Sequence, residues 1–181
     1  MSAYYAIHDP LIERVLLTED EIATVCSTLG ARISADYRGK PLTLVALLRG
    51  GLVFLADLCR NIDLDLTLDF MAISSYGTGE AVRIVKDLDD DVAGRHVLVV
   101  EDLVDTGLTL HYIVNVLAGR SPASVAVCTL LDRRARRIAD VPIAYRGLEI
   151  PDVFVVGYGL DLGGRYRNLP YIAVVRDEVM G

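Results

Sequence analysis

Val97-Leu-Val-Val-Glu-Asp-Leu-Val-Asp-Thr-Gly-Leu-Thr-Leu110 decides how the rest of the chain is read. Val97 to Val100 is a continuous β-branched and aliphatic run, the composition of a strand covered on both faces of a parallel sheet. Glu101 and Asp102 then stand where that strand is expected to end. In open α/β sheets ligands bind beyond the carboxyl ends of the strands, so two acids placed there face a ligand. Thr106-Gly107-Leu108-Thr109 follows, ahead of an apolar helix marked by Leu110, Ile113, Val114 and Leu117. Gly107 permits a tight turn, and free N–H groups at a helix start suit a phosphate. An isolated Asp-Thr-Gly is ordinarily a cap and turn. Two adjacent negative charges add nothing to a strand end, however, so the stretch combines a phosphate cradle with an acid pair suited to a diol or a metal. A phosphorylated sugar fits both.

At 181 residues and 52% hydrophobic content the chain is expected to form one domain, 1–181, with a sizeable core. A net charge of −7 argues against non-specific nucleic-acid binding, which draws on basic surface, but leaves room for a local anion cradle. No apolar run approaches a membrane span and the N-terminus has no charged start followed by a greasy core, so no membrane partner and a cytoplasmic location are expected. Cys26, Cys59 and Cys128 are odd in number and set among apolar neighbours, which reads as reduced thiols. His8, His96 and His111 lack zinc-ligand spacing.

Along the chain, Thr18-Glu-Asp-Glu21 fits a capping box, and Ile22, Val25, Cys26, Leu29 and Ile33 recur at helical spacing to about Tyr37. Arg38-Gly39-Lys40-Pro41 breaks that helix, and Leu42 to Leu48 reads as a buried strand. Arg49-Gly50-Gly51 joins it to the apolar helix Leu52 to Leu58; an arginine beside two glycines lets the backbone approach an anion. Leu66 to Ser74 reads as a strand. The polar stretch from Ser75 through Asp91 then reads as a long hairpin with a solvated acidic tip, of the length at which loops in compact domains serve as lids. Ala123 to Leu131 is the next strand, and the arginines of Asp132-Arg-Arg-Ala-Arg-Arg137 read as a solvated face. Ile143 to Tyr145 and Tyr171 to Val175 are short strands. Neither a Walker-type nor a Rossmann glycine pattern occurs.

Hydrophobic strand, Glu101-Asp102, two variable residues and Asp105-Thr-Gly-x-Thr109 together resemble the 5-phosphoribosyl-1-pyrophosphate (PRPP) motif of type I phosphoribosyltransferases. Leu48-Arg-Gly-Gly51 is similar to that family's pyrophosphate loop, where a peptide that is often cis precedes the glycine. Ser75-Tyr76-Gly77 resembles its mobile loop, and Glu149-Ile-Pro-Asp-Val-Phe-Val-Val-Gly-Tyr-Gly-Leu-Asp161 with Tyr166-Arg-Asn-Leu-Pro170 resembles the hood of its hypoxanthine(-guanine) branch. The resemblance implies an α/β fold of type I: a mainly parallel sheet flanked by helices, a small hood from the N-terminal segment and about 145–170, and a mobile loop at about 75–91.

The same resemblance implies Mg²⁺-dependent transfer of ribose 5-phosphate from PRPP to hypoxanthine or guanine, giving IMP or GMP and pyrophosphate in purine salvage. Carried over residue by residue, Asp105 is the proton-transfer group near purine N7, where a carboxylate suits the chemistry. Glu101 and Asp102 hold ribose hydroxyls and, with Asp161, magnesium. Thr106, Gly107, Leu108 and Thr109 cradle the 5-phosphate, Arg49, Gly50 and Arg167 the pyrophosphate, and Ser75 and Tyr76 close over the sugar. Phe154 stacks on the purine and Val155 reads its edge. Arg133 stands where the family has a lysine that donates to the 6-oxo group. Lys40 and Lys86 are the chain's lysines, so a general drift to arginine accounts for the exchange; a 6-oxopurine preference is expected to survive it, with the order among hypoxanthine, guanine and xanthine open. Leu162 replaces a common aromatic. A homo-oligomer, dimer or tetramer, is implied. An RNA-binding pyrimidine-operon regulator on the same fold is the competing reading, and Asp105 and the hood motif around Phe154 stand against it.

Overall fold

The computed structural model describes residues 9–74 and 83–176. Six strands form the larger sheet in the order β4-β3-β2-β5-β6-β7: β2 Leu42–Leu48, β3 Leu66–Ser74, β4 Arg83–Lys86, β5 His96–Val104, β6 Ser124–Asp132 and β7 Tyr145–Glu149. All neighbours run parallel except the β3/β4 pair. Successive side chains on β2 and β5 point to opposite faces and both faces are covered, which is why Leu44–Leu47 and Val97–Val100 are apolar without a break. Leu42, Leu44, Ala46, Leu98 and Val100 pack with α1 (Glu19–Asp36) and α2 (Gly51–Arg60) through Ile22, Cys26, Ile33, Phe54 and Leu58. Val45, Leu47, Val97 and Val99 pack on the other face with Leu110, Ile113 and Leu117 of α3 (Leu108–Ala118). The capping box forms: Glu21 N donates to Thr18 Oγ1 at 3.3 Å, and Glu21 Oε2 accepts from Thr18 N at 2.8 Å.

The smaller sheet, β1 (Ile12–Leu17), β9 (Ile172–Val175) and β8 (Val155–Val156), is antiparallel and sits beyond the carboxyl ends of the large one as a hood. Sequence reading missed β1 and β8. Ile12-Glu-Arg-Val-Leu-Leu17 alternates imperfectly because three of its inner positions are exposed, and a two-residue strand has no periodicity to read. The strand expected at Ile143 to Tyr145 instead spans Tyr145–Glu149 and belongs to the large sheet, so the hood begins after it.

The acidic stretch is solvated as expected, with Asp87, Asp89, Asp90 and Asp91 all exposed, but its backbone is tied down: the buried Asp69 carboxylate accepts from the amides of Asp89 at 2.9 Å and Asp90 at 3.2 Å, and Arg120 pairs with Asp87 at 2.8 Å. Residues 75–82, including Ser75 and Tyr76, lie outside the described residues. The arginine run is a solvated face only in part. Arg133 is buried, Arg137 is half-buried against Asp132, and only Arg134 and Arg136 are exposed. Cys26 and Cys128 are buried free thiols and Cys59 is a half-buried one.

Candidate active site

A cleft of about 420 Å³ opens where β2, β5 and β6 end beneath the hood. From the strand ends come Gly50, Glu101, Asp102, Asp105, Thr109, Arg133 and Arg136; the hood adds Phe154, Val155, Asp161 and Arg167. Thr106 and Gly107 line an adjoining hollow of about 160 Å³ that shares Glu101, Asp105 and Thr109 with the cleft. The structure thus brings together most of the residues picked from sequence. Arg49 does not reach the cleft wall, where Gly50 represents its loop, and Leu108 is exposed on the first turn of α3.

Glu101 and Asp102 do not follow the strand but belong to it. β5 loses its β2 neighbour after Val100, yet stays paired with β6 as far as Val104. The acids therefore occupy the part of the strand that is open on one side. Asp102 is buried, and its carboxylate fills the space a Cβ on Gly50 would take. Burial pushes its pKa up to about 6, opposed by the amide of Leu103, which donates to Oδ1 at 2.8 Å. Glu101 is driven well above the ordinary carboxylate range by burial and then by the charge of Asp102. Its Oε2 is shut off from solvent and has no hydrogen-bond partner among the described residues. Nearby acids that resist ionisation call for a cation or hydroxyl donors from a ligand.

Asp105 sits half-buried between two cations, with Arg133 Nη1 at 3.4 Å and Arg136 Nη1 at 3.5 Å from its Oδ2, while Oδ1 is without a partner among the described residues. Arg133 is fixed from the other side, its Nη2 donating to Val153 O at 2.7 Å. That bond joins the strand end to the segment carrying Phe154, which packs on the hood cluster beside Leu162. At the far end of the cleft Arg167 contacts Asp161 Oδ1 at 2.5 Å and donates to Gly159 O at 2.5 Å, and Gly164 N donates to Asp161 Oδ2 at 2.8 Å. The peptide between Leu48 and Arg49 is cis, as the loop resemblance implied.

The turn after β5 has the geometry of an anion cradle. Gly107 takes φ +79° as the N-cap of α3, a conformation that suits glycine. The amides of Thr106, Gly107 and Thr109 meet no backbone carbonyl among the described residues. Sequence reading missed Arg136, whose signal was hidden in a basic run, and Leu160 and Ile73, whose apolar side chains line the cleft without any chemical mark.

Residues 16–162 match the phosphoribosyl transferase domain model, and the chain belongs to the phosphoribosyltransferase family. Among its relatives, the hypoxanthine-guanine phosphoribosyltransferase of Staphylococcus aureus is 47% identical over 178 residues, covering 96% of this chain and 98% of that protein. The hypoxanthine phosphoribosyltransferase of Haemophilus influenzae is 49% identical over 168 residues, covering 89% and 94%. A crystal structure of a Staphylococcus aureus hypoxanthine phosphoribosyltransferase superposes with a TM-score of 0.94 at 43% identity, covering 99% of this chain and all of that one.

Proposed function

We propose that this chain transfers the 5-phosphoribosyl group of PRPP to N9 of hypoxanthine or guanine, forming IMP or GMP and releasing pyrophosphate, in purine salvage. The family and the named relatives support the reaction. The observation that carries the reading is what lines one cleft and the hollow adjoining it: an anion-cradle turn at Thr106–Thr109, the acid pair Glu101 and Asp102, the carboxylate of Asp105 and the hood aromatic Phe154. In this reading the turn amides take the 5-phosphate and the acid pair takes the ribose hydroxyls. Arg167 and the backbone of the Arg49-Gly50 loop, which reaches the cleft at Gly50, take the pyrophosphate, with Ser75 and Tyr76 closing over the sugar.

Phe154 stacks on the purine, the backbone at Val155 reads its edge, and Arg133 donates to the 6-oxo group. Asp105 accepts a proton at purine N7 as N9 bonds to the sugar carbon, and the pyrophosphate leaves with the electron pair of the broken C–O bond. In this reading the proton acceptor and the leaving-group contacts act at opposite ends of the reacting bonds.

Glu101, Asp102 and Asp161 would hold Mg²⁺. The orphaned Oε2 of Glu101 and the burial of Asp102 fit a cation, although no preformed cluster of three or more such ligands exists among the described residues. That is the pattern for magnesium, which takes few protein carboxylates and many phosphate and water oxygens. When bound, the ion neutralises charge on the departing pyrophosphate. No helix among the described residues is long and apolar enough to cross a membrane. A cytoplasmic homo-oligomer, dimer or tetramer, completes the proposal. Pyrophosphate release from PRPP over a panel of hypoxanthine, guanine, xanthine and adenine tests it; adenine as best substrate overturns it.

A further inference from the structure

The carbonyls of the phosphate turn are held from behind by a segment to which no role has been given. Arg137 Nε donates to Asp105 O at 3.2 Å, and the amides of Ile138 and Ala139 both donate to Thr106 O, at 2.8 and 3.0 Å. In a trans peptide the C=O and the following N–H point in opposite directions. Turning the Asp105 carbonyl back therefore turns the Thr106 amide forward, and turning the Thr106 carbonyl back does the same for the Gly107 amide. Both amides then face the 160 Å³ hollow that Thr106, Gly107 and Thr109 line. The contact is close: a Cβ at Gly107 would lie 2.8 Å from Ala139 O and 2.9 Å from Arg137 Cδ.

What holds Arg137 in place is a second buried group. Asp132 is 1% exposed at the end of β6, and its Oδ1 pairs with Arg137 Nη2 while Oδ2 lies 2.8 Å from Arg146 Nε. A carboxylate this deep persists only with its charge matched. Asp132 thus fixes the guanidinium, whose remaining Nε–H is left to reach the Asp105 carbonyl, a planar fork that lysine cannot reproduce. We propose that Asp132 and Arg137 are positioning residues that aim the backbone amide of Thr106 at the phosphate of the sugar substrate, beside the Gly107 amide that the backbone of Ile138 and Ala139 aims. They touch no ligand themselves. The inference rests on the reading of Thr106–Thr109 as the 5-phosphate turn.

Binding of two ligands that use different ends of the cleft tests it. Ribose 5-phosphate and inorganic pyrophosphate with magnesium are titrated calorimetrically into the full-length wild type, Arg137→Gln, Arg137→Lys and Asp132→Asn. A misdirected charge-assisted hydrogen bond from the Thr106 amide weakens ribose 5-phosphate binding by about tenfold in Arg137→Gln. Pyrophosphate affinity stays within about twofold, and Arg137→Lys falls between wild type and Arg137→Gln because it keeps the charge and loses the fork. KM for PRPP rises in parallel. An equal loss for both ligands, or unchanged ribose 5-phosphate binding in Arg137→Gln, overturns the proposal. If Arg137→Gln does not melt cooperatively, the ratio of the two affinities in Arg137→Lys decides. A wild type that binds pyrophosphate but not ribose 5-phosphate would sink the reading of the turn itself, an outcome separate from failure of the variants alone.

Discussion

Asp102 Oδ2 lies 1.8 Å from where a Cβ on Gly50 would stand, so the two residues on β5 and after β2 share a space that holds one of them only because the other has no side chain. Gly50 has φ −58° and ψ −49°, which any residue adopts, so its lack of a side chain is explained by the neighbour and not by the backbone. Asp102 cannot simply swing aside, because its Oδ1 is bound to Leu103 N at 2.8 Å.

Gly50→Ala is accordingly expected to push the carboxylate out of place and to damage the ligand site more than the fold. Overpacking of this kind costs roughly 1–3 kcal/mol in stability. The activity loss is expected to appear chiefly as a raised KM for PRPP, because the proposed function gives both the loop and the acid to that substrate. Steady-state kinetics beside a thermal melt check this; an alanine variant with wild-type KM would show that the two groups are not in competition.

Asp102 and Glu101 also make a statement about pH. Both have folded-state pKa values above the ordinary carboxylate range, Asp102 at about 6, chiefly through burial. A carboxyl whose pKa is raised by folding binds its proton more tightly in the native state, so metal-free protein loses stability as pH rises from about 4 through about 6. For Asp102 alone the penalty above that window is on the order of 3 kcal/mol. Asp102→Asn, which cannot ionise, is expected to raise the melting temperature of the metal-free enzyme at pH 7.5 and to show little gain at pH 4.5, while lowering activity. Melts across that range are the measurement, and a stabilisation independent of pH would contradict the burial argument.

Why these particular features were readable follows from how each is encoded. Leu42–Leu48 and Val97–Val100 are buried on both faces, so composition alone marks them as central strands. The turn after β5 was legible because its chemistry is local: acid pair, glycine at positive φ and amides that meet no backbone carbonyl among the described residues lie within nine residues. Arg137 and Asp132 were not legible as a support for that turn, since the contact joins residues more than twenty-five positions apart and looks in sequence like one more basic run. The continuation of β5 through the acids was hidden for a similar reason. It depends on β6 pairing as far as Asp132, which no pattern within β5 reveals.

Asp105→Asn tests the proton-transfer role without a change of shape. Asparagine keeps a carbonyl oxygen where the proposed function puts purine N7 but cannot take its proton. The expected result is a fall in kcat of about a hundredfold or more with PRPP affinity within a fewfold of wild type. Single-turnover kinetics with hypoxanthine, together with direct PRPP binding, separate the two effects. A matching loss in both would assign Asp105 to substrate binding instead.

Arg133 offers the sharpest test of base recognition, because it is 4% exposed and joined both to Asp105, at 3.4 Å, and to the carbonyl of Val153, at 2.7 Å. Arg133→Met removes a charge that Asp105 faces and leaves the Val153 carbonyl without its donor. Breaking one side of a largely buried pair costs up to about 3 kcal/mol where the partner is partly solvated, so a lower melting temperature is expected along with slow turnover on every base. Arg133→Lys keeps the positive charge but presents one compact donor group in place of a fork. It cannot offer separate, fixed N–H groups to Val153 O and to a purine 6-oxo group, the arrangement proposed for the guanidinium. The lysine variant is therefore expected to retain the preference for 6-oxopurines over adenine while reordering hypoxanthine, guanine and xanthine, read as kcat/KM for each base. If the three ratios are unchanged by the lysine and adenine remains excluded in the methionine variant as well, discrimination lies in the backbone around Val155 and not in the side chain at 133.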